Sequence, residues 1–146
     1  MASEFGRVIA RRELARANSR SPVLVEIGIP RRRAEAEWAC PYRIRGLGQR
    51  GIRYAFGIDP VQALQVVQQA IWHDLRPYER ELSWLGEREW TGFYRFYGVN
   101  LGHAHMRRVE KAIDREIADE TRRLKKRMAK RRAAAKGKRR SSEAPV

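Results

Sequence analysis

Between Val23 and Gln62 the hydrophobic period of the chain changes from two to about 3.6 residues, and this switch restricts the fold more than any other feature. Val23, Val25, Ile27 and Ile29 alternate with Leu24, Glu26 and Gly28. That is the pattern of a strand with one buried face. Asp59-Pro60-Val61-Gln62 then supplies an N-cap, a proline at the first helical position and a capping-box glutamine. Leu64, Val67, Ile71 and Leu75 follow at helical spacing, with Val61 and Trp72 widening the stripe, until Arg76-Pro77 closes the helix. A half-buried strand and an amphipathic helix both need an apolar partner, which predicts a two-layer α+β unit.

The remaining strands fall around this pair. Residues 7–17, with Val8, Ile9 and Leu14 among charges, read as an edge strand, and Asn18 to Pro22 as a turn. Arg31 to Glu37 read as a charged loop. Trp38, Cys40, Tyr42 and Ile44 share one face of a third strand, opposite Arg43 and Arg45, and Pro41 within it predicts an edge or a bulge. After the flexible connection Gly46 to Gly51, a fourth strand sets Ile52, Tyr54, Phe56 and Ile58 on one face and Arg53, Ala55 and Gly57 on the other. Residues 78–103 hold Tyr78, Trp84, Trp90, Phe93, Tyr94, Phe96 and Tyr97 and read as an ordered wrap, because so many aromatics do not stay in water. The expected class is α+β: an antiparallel sheet of about four strands packed by one helix (ββββα), then the wrap, then a long C-terminal helix.

From about His105 the helical period returns through Met106, Val109, Ile113, Ile117, Thr121, Leu124 and Met128, spaced as in a straight helix. Arg115 with Asp119, and Asp119 with Arg123, are expected i,i+4 pairs. The expected units are a domain over 1–103, an amphipathic then basic helix over 104–135, and a disordered basic tail over 136–146.

Charge divides the chain the same way. The net charge is +15; residues 1–100 carry +5 and residues 101–146 carry +10. Between Arg122 and Arg140, 12 of 19 residues are Lys or Arg and none is acidic. Such a run favours polyanionic partners. The lone Cys40 forms no internal disulfide, no stretch approaches the length of a membrane span, and Met1 to Phe5 lack the apolar core of a signal peptide. A cytoplasmic protein is expected.

The runs Val8-Ile9-Ala10-Arg11-Arg12-Glu13-Leu14, Val25-Glu26-Ile27-Gly28-Ile29-Pro30, Trp38-Ala39-Cys40-Pro41-Tyr42-Arg43-Ile44 and Ala55-Phe56-Gly57-Ile58-Asp59 with Val61-Gln62-Ala63-Leu64 come in a definite order and spacing. Together with Trp84-Leu85-Gly86-Glu87 and Gly92-Phe93, they resemble a small bacterial domain family of unknown function over roughly residues 8–94. Pro60 stands where a serine or similar cap partner is expected of that family. The resemblance implies a small stand-alone domain of bacterial origin, and it brings no activity with it.

No catalytic constellation, metal set or cofactor motif emerges. Glu79, Glu81, Glu87 and Glu89 lie among arginines and aromatics, as surface pairs do. Gly46-Leu47-Gly48 with Gly51 joins two strands and lacks the Gly-Lys-Ser/Thr ending of a phosphate loop. His103 and His105 lack further ligands, and Cys40 alternates inward as a small hydrophobe. The expected function is therefore binding. Arg122, Arg123, Lys125, Lys126, Arg127, Lys130, Arg131 and Arg132 are the candidate contacts to nucleic acid, made without base readout. The alternative is an acidic protein partner, of accessory or immunity type, met by Arg43, Arg45 and Arg53 on the exposed sheet face. A third reading leaves the basic helix as a solubilising tail, and the aromatic wrap as core filling rather than a base-stacking surface.

Overall fold

The computed structural model describes residues 5–95 and 101–142, with side chains through Gly137. The chain divides into two compact units, Met1–Phe96 and Tyr97–Val146.

In the first unit, β1 (Val8–Arg16), β2 (Val23–Gly28), β3 (Arg31–Ala34), β4 (Glu37–Arg45) and β5 (Arg53–Gly57) precede α1 (Pro60–Leu75). A 3-10 helix (Arg76–Glu81) then leads to β6 (Leu82–Trp84) and β7 (Glu87–Arg88). Among the described residues the antiparallel sheet has seven strands, ordered β3-β4-β2-β1-β6-β7, with β5 also on β4. The expectation of about four strands was too few. The predicted loop over 31–37 contains β3, whose four residues are all exposed, so no hydrophobic alternation marks it. The short β6 and β7 lie inside the predicted wrap.

Pro41 is not on an edge, since β4 has neighbours on both sides. It is tolerated because β4 changes partner there: Ala39 is paired with Arg31 of β3, and Tyr42 with Ile27 of β2. A residue with no N–H fits where a ladder is interrupted. β1 does keep a partly free edge, because β6 reaches only Ala15 and Arg16.

The cap at α1 forms as its residues predict. The Asp59 side chain accepts from the Gln62 N–H at 2.7 Å, and the Gln62 side chain accepts from the Ile58 N–H at 2.7 Å. The helix buries Ala63, Val67, Ile71 and Leu75, while Val61 is exposed. The stripe is thus rotated towards Ala63. That small residue lets α1 approach β5, where Gly57 leaves no room: a Cβ there would sit 2.4 Å from the Ala63 nitrogen. Gly57→Ala is expected to cost about 2 kcal/mol through overpacking. A thermal melt of the variant should show a loss of roughly 10 °C.

This close contact selects which side of β5 faces the helix. Ala55 is buried and Gly57 meets α1, whereas Tyr54 and Phe56 are exposed on the far side. The apolar face that hydrophobicity alone would bury is the one turned out.

Part of the aromatic wrap fills core, whereas Tyr94 is 65% exposed. Tyr78, Trp84 and Phe93 pack against the main cluster. The Arg12 guanidinium lies 4.0 Å from the Trp84 ring and 4.4 Å from the Phe93 ring, and donates to the Thr91 carbonyl at 3.3 Å. Desolvation there lowers its pKa. Phe96 and Tyr97 lie outside the described residues.

In the second unit, α2 spans His103–Ser142. Residues 143–146 of the expected tail lie outside the described residues. Forty residues of helix extend about 60 Å. No helix among the described residues is long and apolar enough to cross a membrane.

Candidate polyanion-binding surfaces

Two surfaces concentrate cations, one in each unit. The first is the sheet face opposite α1. Arg11 of β1, Glu26 of β2 and Arg43 of β4 are paired directly across three strands, and Arg45 stands two residues further along β4. Cross-strand partners share a face, so these side chains meet. The Arg11 Nε and Nη2 donate to Glu26 Oε1 at 3.1 and 2.7 Å. Arg43 Nε and Arg45 Nη2 donate to Oε2 at 2.5 and 2.9 Å.

Glu26 is fully buried beneath these arginines. Burial alone would push its carboxyl up. The hydrogen bonds from Arg43 and Arg11, with the charges of Arg43 and Arg45, outweigh it and hold the pKa below the usual glutamate value. The three guanidiniums remain partly exposed, at 56% for Arg11, 30% for Arg43 and 54% for Arg45. One carboxylate balances one of three positive charges, and several N–H donors of each arginine are left over. Phe5 is buried in the middle of this face, its ring 4.3 Å from Arg43. Towards β5, Tyr54 and Phe56 stand exposed, and Arg33 of β3 lies 6.0 Å from the Tyr54 ring.

Arg53 does not belong to this face. It turns to the helix side, where its Nη1 meets Asp74 Oδ2 at 2.5 Å. Tyr42 donates to the same oxygen at 2.8 Å, and burial followed by the Asp74 carboxylate pushes that phenol up to about 12. Arg53 is thus committed within the fold and was misplaced by the sequence reading, whereas Arg43 and Arg45 lie on the sheet face as expected. Cys40 is fully buried, and burial pushes its thiol up to about 11. That keeps it protonated, as befits a core residue.

The second surface is the C-terminal half of α2. Every residue from Thr121 to Gly137 is exposed. The expected i,i+4 pairs are replaced by i,i+3 pairs: Arg122 meets Asp119, and Arg123 lies 3.7 Å from Glu120. Arg127 also reaches Glu120, at 2.7 Å. Three of the eight candidate residues therefore have acidic neighbours. Lys125, Lys126, Lys130, Arg131 and Arg132 have no acidic partner among the described residues. At 100° per residue the cations cover roughly three quarters of the circumference. Leu124 and Met128, 48% and 55% exposed, occupy the remainder. Ile113 and Ile117 of the same apolar stripe are exposed as well.

Sequence reading identified the helix cations directly because they are contiguous. It missed the Glu26 cluster, whose members are 15 to 19 residues from the glutamate in sequence. The outward positions of Glu26, Arg43 and Arg45 were the available signal; their convergence required the strand register.

No curated protein and no solved structure matches the chain. The sequence pattern of the family described as Domain of unknown function (DUF6968) matches residues 10–95. That bears out the resemblance carried by the motifs between Val8 and Phe93, and it leaves α2 outside the matched region. With more than half of its residues in that match, from Ala10 in β1 to Arg95 within the aromatic segment, the chain belongs to the DUF6968 family.

Proposed function

We propose that the protein is a non-enzymatic nucleic-acid-binding protein whose arm, the C-terminal half of α2, contacts the phosphate backbone without reading sequence. The observation that carries this reading is the run of 12 cations without an acid between Arg122 and Arg140 on one helix. A helix of this kind neutralises phosphates and releases counterions, which gives affinity that is independent of sequence and sensitive to salt. Its side chains include no Asn or Gln and no acidic group between Arg122 and Arg140, so the residue types that pair with adenine and cytosine edges are missing from it.

The test is fluorescence anisotropy with a labelled DNA or RNA duplex across a salt series, comparing the full chain with residues 1–121. Binding that falls steeply with salt and is mostly lost on truncation supports the arm. Equal binding by the truncated chain removes the arm from the account. A single stoichiometric protein that co-purifies and survives nuclease treatment would favour the acidic-protein alternative.

A further inference from the structure

The exposed sheet face combines two features that apolar packing of the fold does not call for. Tyr54 is 37% exposed and Phe56 is 53% exposed, although both stand on a strand whose other side is packed. Large exposed aromatics side by side on a sheet are costly to leave in water unless something covers them. Beside them stand guanidiniums whose positions are set from below by a buried carboxylate. Such an ionic cluster is a poor source of stability compared with apolar packing. What it does supply is fixed geometry, since Arg11, Arg43 and Arg45 are held with donors to spare.

We propose that this face binds a short stretch of single-stranded nucleic acid, with bases stacking on Tyr54 and Phe56 and phosphates meeting Arg33, Arg43, Arg45 and Arg11. Same-face residues two apart on a strand are separated by about 6.7 Å, so the two rings offer separate platforms for neighbouring bases. Arg33 lies over one of those platforms, at the outer limit of cation–π range. The charge is complementary: Glu26 offsets one of the three guanidiniums it holds, and a phosphate chain supplies the balance. Stacking selects single strands over duplex, because pairing and stacking hide the base faces. Stacking on Tyr54 and Phe56 tolerates any sequence, because every base has a π-face. An acidic protein segment would satisfy the arginines without needing two stacked aromatics.

This surface lies in the first unit and does not depend on the arm. The experiment uses the full chain with a labelled oligothymidine of about 20 nucleotides and a duplex of the same length, at about 0.3 M salt to suppress the electrostatic contribution of the arm. Tyr54→Ala and Phe56→Ala are each expected to weaken oligothymidine binding about tenfold, and the double variant about a hundredfold. Tyr54→Phe keeps the ring and should bind as the unaltered chain does. Duplex affinity, measured at lower salt, should stay within twofold in every variant. Urea midpoints check that the exposed positions leave folding intact; if the double variant is destabilised, the single variants and Tyr54→Phe decide. Oligothymidine affinity unchanged in both single alanine variants overturns the proposal. So does equal weakening of oligothymidine and duplex, or loss of a nuclease-resistant protein partner with oligothymidine binding intact. Failure of the unaltered chain to bind duplex at low salt would remove the arm while leaving the ring-dependent binding of single strands as its own result.

Discussion

Raising salt from about 50 to 200 mM is expected to weaken binding of the full chain to duplex DNA roughly a thousandfold. Twelve cations lie between Arg122 and Arg140, and they surround most of the helix. A rod-like helix presents about half of its circumference to a duplex, so roughly six phosphates are neutralised at once. Six contacts give a slope near −5 in log affinity against log salt, which over that range is about three decades. Arg122, Arg123 and Arg127 have acidic neighbours in Asp119 and Glu120 and should contribute less than Lys125, Lys126, Lys130, Arg131 and Arg132. Replacing those five with glutamine should flatten the slope by about four, while replacing the three paired arginines should change it less. A titration in which the slope stays unaltered in the five-residue variant would show that the cations are only solubilising.

Replacing Glu26 with glutamine is expected to lower the unfolding free energy at pH 7 by about 2–3 kcal/mol. Removing one member of a fully buried ion pair costs about 3–5 kcal/mol. The lower figure applies because the three arginines are 30–56% exposed and can regain water. Glutamine keeps the volume and one acceptor but cannot balance three guanidiniums. The pH dependence separates charge from packing. The folded pKa of Glu26 is lowered, so its ionised form adds stability above about 4.3, the ordinary glutamate value. That contribution is lost as pH falls through the folded value. The gap between the unaltered chain and Glu26→Gln in urea unfolding, followed by tryptophan fluorescence, should therefore be widest near neutrality and close in acid. A gap of constant size from about pH 3 to 7 would assign the cost to packing alone.

Much of the first unit could be read from residues in order. The Asp59 cap, the helix ending before Pro77 and the inward faces of β2 and β4 rest on interactions within a few residues or on strict alternation. The strands that escaped, β3, β6 and β7, are two to four residues long, too short for a period to register, and β3 is made almost wholly of arginine. β5 shows the opposite case, with a clear period pointing to the wrong face. Its burial is decided by the distance to α1, which admits Ala55 and Gly57 but no large ring.

The same division holds for function. The sequence by itself determined the basic run from Arg122 to Arg140 on which the proposed arm rests, because net charge is a sum over neighbouring residues and survives whatever the backbone does. It also determined family membership, since the motifs between Val8 and Phe93 are ordered in the chain. Only the tertiary structure decided that Arg11, Arg43 and Arg45 converge on Glu26, that Arg53 turns away to Asp74, and that Tyr54 and Phe56 face outward. Those facts depend on strand register and on one close helix–strand contact. Both are set by packing between residues distant in sequence, which no local pattern encodes.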